Sequence, residues 1–127
     1  MAAAEAGPIL LRSTLPAVVA ANCYQYFCVL GSATAQTPVR IRRVTVRSQG
    51  PHCWVTSVPL ANAVDLQVSA DEWCVLTAGV LRVSGAAPPG EYVLELRVDL
   101  EATGEDAVRT VQEVLRVSVR GHGGCCS

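Results

Sequence analysis

Lysine is absent from this chain of 127 residues, phenylalanine occurs once and histidine twice, and no run of 18 apolar residues is present. The last absence argues against a membrane-spanning helix, which needs a longer apolar stretch. Ten arginines against eleven acidic residues leave a net charge of −1, so the sequence lacks the basic excess of a nucleic-acid-binding domain. Hydrophobic residues make up 50% of the chain and charged residues 17%, which is typical of a globular protein.

Groups suited to catalysis or metal binding are also scarce. Nucleophilic catalysis needs a nucleophile, a base and an orienting group at one site. His122 lies in a glycine-rich tail, and a strand would point the neighbours His52 and Cys53 to opposite faces. The C-x4-C spacing of CYQYFC is not that of a zinc knuckle, and no spaced acidic run of the calcium-binding type occurs. We therefore predict a non-enzymatic protein with no catalytic residue, metal site or cofactor.

Alternation of apolar and polar residues is the dominant pattern from residue 38 onward. In GEYVLELRVDLE, residues 90–101, the side chains that would share the buried face are Tyr92, Leu94, Leu96, Val98 and Leu100. In PVRIRRVTVRS the alternation slips by one residue at Arg42–Arg43, which predicts a β-bulge. Ala78–Gly79, between WCVLT and VLRVS, predicts a two-residue hairpin turn.

The complete pattern predicts an all-β fold, an antiparallel β-sandwich of about seven or eight short strands. Turn signals recur every 8 to 12 residues, and no amphipathic helix of ordinary length is evident. Segment 17–30 begins with alanines that suit a helix, but its second half is rich in strand-forming residues, and we favour a strand. The predicted domain spans residues 9–120, between a flexible leader, residues 1–8, and a flexible Gly/Cys tail, residues 121–127.

Six cysteines at this density indicate disulfides and an oxidising compartment, although buried thiols in a cytosolic domain are the alternative. Cys53 and Cys74 are the best candidate pair, because each lies beside a tryptophan on a predicted strand. Their bridge would close a loop of about 20 residues and contribute about 3 kcal/mol in the loop-entropy model. Cys23 and Cys28 are the second candidate pair, and one sequence does not fix the connectivity.

Two charged rows are candidate partner surfaces. The first is a basic patch on the predicted strand at 38–48, formed by Arg40, Arg42, Arg43 and Arg47. It suits an acidic glycan or a partner's carboxylates; the alternative is an edge strand that charge protects against aggregation. The second row points outward from the strand at 90–101 and consists of Glu95, Arg97 and Asp99.

A family resemblance covers residues 72–119. DEWCVLTAGVLRVSGAAPPG is followed by Y-x-L-x-L-x-V, a loop and L-x-V-x-V. This order resembles the C-terminal module of fibulins and hemicentins, extracellular-matrix glycoproteins in which a small β domain follows EGF-like repeats. The segment also resembles a cadherin repeat, with Trp73, Gly79 and Tyr92 at the positions expected for characteristic residues of that repeat. It reads GAAPPGE where a cadherin would carry L-D-R-E, however, and the fibulin-like interpretation needs no calcium motif.

The resemblance implies a non-catalytic, extracellular protein-binding module in matrix or elastic-fibre assembly. Its partners would be other proteins, such as matrix components, or acidic glycans. The alternatives are an accessory β-domain of a larger intracellular or viral assembly and a cadherin-like adhesion repeat without calcium motifs. The N-terminus lacks the basic start of a signal peptide, and Arg12 and Pro16 interrupt its apolar stretch. If the protein works outside cells, we therefore expect this chain to be a fragment or a variant without its export signal.

Overall fold

The computed structural model describes residues 4–34, 38–59, 66–102 and 108–120. Within these ranges the chain forms a β-sandwich, which confirms the predicted fold class, and it contains no helix long and apolar enough to cross a membrane. The strands are β1 Ala4–Ala6, β2 Ile9–Ser13, β3 Val18–Ala20, β4 Cys23–Ala33, β5 Val39–Ser48, β6 Cys53–Pro59, β7 Leu66–Val68, β8 Cys74–Val83, β9 Gly90–Ala102 and β10 Arg109–Arg120. Sheet A has the order β1-β2-β4-β8-β6, and sheet B has the order β3-β10-β9-β5-β7.

The core forms where the inner faces of the two sheets meet. β9 lies in the middle of sheet B, and its alternation buries Leu94, Leu96, Val98 and Leu100 to at most 1% exposure, as the sequence predicts. Each such side chain contributes about 1.5–3 kcal/mol through burial. Sheet A supplies the facing side chains, among them Ile9, Phe27, Val29, Leu76 and Leu81.

The predicted β-bulge on β5 is confirmed. The register between β5 and β9 shifts between Ile41 and Arg43, where Arg42 is the additional residue. This shift keeps both Ile41 and Val44 buried although they are three residues apart. A slip of one residue in an alternating sequence therefore marks a real break in the ladder.

The hairpin predicted at Ala78–Gly79 is wrong, because β8 runs without interruption from Cys74 to Val83. Gly79 lies in the middle of sheet A, where β8 passes between β4 and β6. A glycine is required at position 79 because Phe27 packs closely against it, and not because the chain turns there. A glycine inside an alternating run is compatible with a turn and with a site of close packing, and the sequence does not distinguish the two.

The N-terminal third also differs from the prediction. Ala4–Ala6 forms β1 and pairs with β2, so a strand lies inside the segment predicted as a flexible leader. Segment 17–30 divides into β3 and β4, separated at Asn22, which has a left-handed backbone with φ 62°. β3 pairs in parallel with β10, so the sandwich is not purely antiparallel. The predicted tail, residues 121–127, lies outside the described residues.

Candidate interaction surfaces

The predicted charged rows lie together on the outer face of sheet B. β5 and β9 are neighbours, and their register sets Arg43 opposite Asp99 and Arg47 opposite Glu95. Within β9, Arg97 Nε lies 3.4 Å from Asp99 Oδ1. The structure therefore brings into one surface all the residues predicted for partner binding: Arg40, Arg42, Arg43, Arg47, Glu95, Arg97 and Asp99.

Opposite charges alternate across this face and largely neutralise each other. Arg42 Nε lies 3.9 Å from Glu101 Oε1, and Arg116 Nη1 lies 2.9 Å from Glu91 Oε1. Exposed pairs of this kind contribute about 0–1 kcal/mol each, because water screens them. Such an arrangement is typical of a solvated sheet face, and partner binding through it stays a prediction.

The outer face of sheet A has a different character, because it exposes aromatic rings. Tyr24 is 65% exposed, Tyr26 75% and Trp54 49%. The registers of β4, β8 and β6 set Tyr24, Arg82 and Trp54 side by side in one row across the sheet. The next row contains Tyr26. We call the outward side chains of this sheet the aromatic face; they are Leu10, Arg12, Tyr24, Tyr26, Cys28, Leu30, Trp54, Thr56, Val75, Ala78, Val80 and Arg82.

Arginines pack on the rings at both ends of the aromatic face. Arg82 lies between two rings, with its Cζ 5.6 Å from the centre of Tyr24 and 5.7 Å from that of Trp54. At the other end, Arg12 Cζ lies 4.4 Å from the ring centre of Trp73. Each contact is within the range of a cation–π interaction, which holds the long arginine side chain against the sheet. Six residues of β4 separate the two ends, so the face is about 20 Å long.

The sequence predicted the strands beneath the aromatic face but not the face itself. The missed signal is in CYQYFC, where Tyr24 and Tyr26 are an odd number of positions from Phe27 and therefore lie on the opposite face of a strand. Phe27 is buried, so the two tyrosines must point to the outside. In the sequence, Trp54 and Trp73 stand out only as neighbours of cysteines. Alternation along β4 is therefore enough to predict that the two tyrosines are exposed. Only the pairing of strands in the folded sheet, however, places Trp54 beside Tyr24.

Neither predicted disulfide forms, because Cys28, Cys53 and Cys74 are free. Cys53 is opposite Val83 at one end of β8, whereas Cys74 begins β8, so the two are about 30 Å apart. Cys23 and Cys28 belong to one extended strand, β4, and are about 17 Å apart. A bridge requires Cα atoms within about 7 Å. The register of sheet A therefore excludes both predicted pairs, Cys53 with Cys74 and Cys23 with Cys28.

Cys53 is nevertheless in a distinctive environment. It is 3% exposed, and this burial raises the pKa of its thiol because the interior disfavours the thiolate. Nearby, the hydroxyl of Tyr92 donates a 2.7 Å hydrogen bond to the carbonyl oxygen of Pro88. Desolvation and the proximity of Cys53 raise the pKa of Tyr92. Both groups are thus held neutral, which suits a structural role.

No grouping of histidine, cysteine and acidic side chains suited to a metal ion occurs within the described ranges. His52 precedes β6, and its carbonyl oxygen accepts a 2.8 Å hydrogen bond from the Ser84 amide. That contact is part of the ladder between β6 and β8.

No protein-family model matches the chain, and no curated protein matches it. Solved structures do. The chain is similar to a native Escherichia coli alpha-2-macroglobulin spanning domain MG7 to the C-terminus, with TM-score 0.64 and 12% identity over 90% of this chain and 17% of the other. It is also similar to the GAE domain of Saccharomyces cerevisiae GGA2p, with TM-score 0.58 and 8% identity over 90% and 94% of the two chains. A Clostridium perfringens cohesin module from a family 33 glycoside hydrolase gives TM-score 0.50 and 10% identity over 88% and 96%.

At sequence identities of 8–12%, these structural similarities show a shared fold and nothing more. The molecule is a β-sandwich of a type found in proteins that are otherwise unrelated to one another. The chain spans 17% of the macroglobulin chain but nearly the whole of the two isolated modules.

Proposed function

We propose that this chain is a non-catalytic protein-binding domain that docks its partner on the aromatic face. The observation that carries the proposal is the row of Tyr24, Arg82 and Trp54, with Tyr26 beside it, exposed on a regular sheet. Tyrosine, tryptophan and arginine dominate the binding energy of protein interfaces. Their rings give a large contact area at a small cost in side-chain entropy, and the rigid strands of sheet A already hold them in place.

Charge defines the partner further. On the described strands β2, β4, β6 and β8, the charged side chains are two arginines, Arg12 and Arg82. They stand about 20 Å apart at the two ends of the face, with apolar side chains between them. The complementary partner surface is therefore an apolar patch flanked by carboxylates.

We further propose that this partner is an extracellular-matrix protein. The support is the resemblance of residues 72–119 to the fibulin and hemicentin module. This part of the proposal is tested by locating the full-length protein in cells, medium and deposited matrix. A full-length protein confined to the cytosol would favour the accessory domain of an intracellular assembly instead.

Site-specific photocrosslinking tests the docking surface. A benzophenone amino acid replaces Tyr26 on the aromatic face or, as a control, Val114, which is 45% exposed on the outer face of sheet B. Illumination on matrix-producing cells should give a defined adduct from position 26 and none from position 114. An adduct from position 114 alone would move the binding site to sheet B.

The captured partner then allows a quantitative test. Tyr26→Ala and Trp54→Ala should each raise its Kd at least about tenfold, as truncation of a buried aromatic anchor does. Arg97→Ala on the opposite face should change the Kd by less than about twofold, as expected away from the contact. Equal effects of all three substitutions would contradict docking on the aromatic face.

A further inference from the structure

β6 is the exceptional edge of this sandwich. Among the strands of the described residues, the edges are β1 and β6 in sheet A and β3 and β7 in sheet B. β1, β3 and β7 have three residues each, whereas β6 has seven. Short edge strands are a common protection against pairing with other chains. β6 lacks that protection, and in the described part of the chain no strand pairs with it on the side away from β8.

The backbone of β6 presents regularly spaced hydrogen-bonding groups to this open side. Cys53 is opposite Val83, and the Ser84 amide donates to the His52 carbonyl, so the backbone carbonyl of His52 points towards β8. Hydrogen-bonded and non-bonded pairs alternate along an antiparallel ladder. The N–H and C=O groups of Cys53, Val55 and Ser57 therefore point away from β8, and no described residue bonds to them.

Charge does not guard β6 either. Its sequence, CWVTSVP, contains no charged residue, and its only proline is the last residue. β5 offers an instructive contrast, because β7 covers only Val39–Ile41 of it. The uncovered part of β5 carries Arg42, Arg43 and Arg47 and the β-bulge, which are recognised defences of an exposed edge.

We propose that β6 pairs antiparallel with β6 of a second copy of this chain, about a two-fold axis at Val55. This register sets Val55 opposite Val55 of the second copy and Cys53 opposite Ser57. These are the residues whose backbone groups face the open edge, and each such pair exchanges two hydrogen bonds. The two A sheets then join into one continuous sheet. The inference is independent of the proposed function.

A second copy fits because the edge is complementary to itself. The same register sets Trp54 opposite Thr56 of the second copy, so the half-exposed tryptophan ring gains a small neighbour on the aromatic face. The nearest positive charge on the face is Arg82 on β8, one strand further in. Three strand spacings, about 14 Å, separate the two copies of Arg82. That distance exceeds the Debye length of about 8 Å at physiological ionic strength, so their repulsion is screened.

The experiment is sedimentation velocity of the chain without reductant, from about 1 to 500 µM, a range that suits an interface of small area. Non-reducing gel electrophoresis of the same samples excludes dimers linked by intermolecular disulfides. Wild type should convert from monomer to dimer across this range. Val55→Pro should raise the dimer Kd at least about tenfold, because proline removes the central N–H while leaving the ladder with β8 intact. Val55→Thr, which keeps both the N–H and the branched shape, should dimerise as wild type does.

A second variant covers the case in which Val55→Pro does not fold. Thr56→Lys places a charge on the exposed side of β6 and should also raise the Kd at least about tenfold. Ser118→Lys, on the outer face of sheet B, adds the same charge and should leave the Kd unchanged. Circular dichroism confirms the fold of each variant. The proposal is overturned if wild type stays monomeric at the highest concentration, or if Thr56→Lys dimerises like wild type.

Discussion

The ring of Phe27 leaves no room for a side chain at Gly79. A Cβ at Gly79 would lie 3.0 Å from Phe27 Cζ, and on the other side it would lie 2.9 Å from the carbonyl oxygen of Thr56. The ring can move only into a filled core, because Phe27 is 3% exposed, and the carbonyl belongs to the ladder of β6. This contact allows β8 to pass between β4 and β6 as one continuous strand.

Gly79→Ala should therefore lower the free energy of unfolding by about 1–3 kcal/mol, as overpacking of a filled site does. Elsewhere in a strand, alanine would be expected to stabilise relative to glycine. Gly50→Ala is the matched control, since a Cβ there meets nothing within 4 Å. Urea unfolding of both variants makes the comparison. A Gly79→Ala protein as stable as wild type would show that the ring and the strand yield easily.

Local pattern was sufficient to predict much of the fold. The alternation of β9 and the phase slip at Arg42 are written in consecutive residues, and both features occur as expected. The hairpin at Ala78–Gly79 failed because the role of Gly79 depends on Phe27, about fifty positions earlier in the chain. The parallel pairing of β3 with β10 likewise joins segments about a hundred residues apart. Such contacts leave no periodic trace in the sequence.

The candidate sites divide in the same way. The charged rows were found because the residues of each row lie close together in sequence, on β5 or on β9, and the register of those strands then brings the two rows together. The aromatic face is assembled from β4, β6 and β8, so its residues share no local pattern. The disulfide predictions failed for a related reason. Proximity of cysteines to tryptophans in sequence says nothing about which ends of two strands meet.

The position of Arg82 between two rings predicts a measurable coupling with Trp54. A double-mutant cycle with Arg82→Met and Trp54→Leu should give an interaction energy of about 0.5–1 kcal/mol, typical of an exposed cation–π contact. Methionine keeps much of the apolar stem and removes the charge. The control cycle combines Trp54→Leu with Arg97→Met, because Arg97 lies on the other sheet. Chemical denaturation supplies the four free energies. A coupling near zero in the Arg82 cycle would mean that the two side chains are only neighbours.

The thiol assignment predicts a simple alkylation result. Trypsin cleavage after Arg47 and Arg82 releases one peptide that contains both Cys53 and Cys74. Denaturation with an alkylating reagent and no reductant should label both cysteines in the purified protein, because both are free. A sample reduced before alkylation is the control and should have the same mass. A peptide that gains label only after reduction would show a bridge and contradict the structure.

Burial of Cys53 predicts a loss of stability at alkaline pH. Its pKa is raised above the ordinary value of 9.0, so the unfolded chain loses this proton before the folded chain does. The free energy of unfolding should therefore be unaffected below that value and should fall as the pH rises through and above it. Cys53→Ala should reduce this decline. Urea unfolding between pH 7 and about pH 10.5, close to the ordinary pKa of tyrosine, measures it. A decline that Cys53→Ala leaves unchanged would assign it to other groups.

The hydrogen bond from Tyr92 to Pro88 predicts that one hydroxyl orders the loop before β9. The bond closes the segment that follows β8, in which the Ala87 amide also donates to the Ser84 carbonyl and Ala87 is 4% exposed. Tyr92→Phe should therefore cost about 0.5–1.5 kcal/mol of unfolding free energy, the usual contribution of such a bond.

Hydrogen exchange at the Ala87 amide should become faster in the Tyr92→Phe protein, because the loop would open more often without its link to β9. Tyr26→Phe is the matched control, since that side chain is 75% exposed and its hydroxyl makes no bond to any described residue. It should change neither stability nor exchange. If Tyr92→Phe lowers stability but leaves the exchange of Ala87 unchanged, the ring packs against the core without ordering the loop.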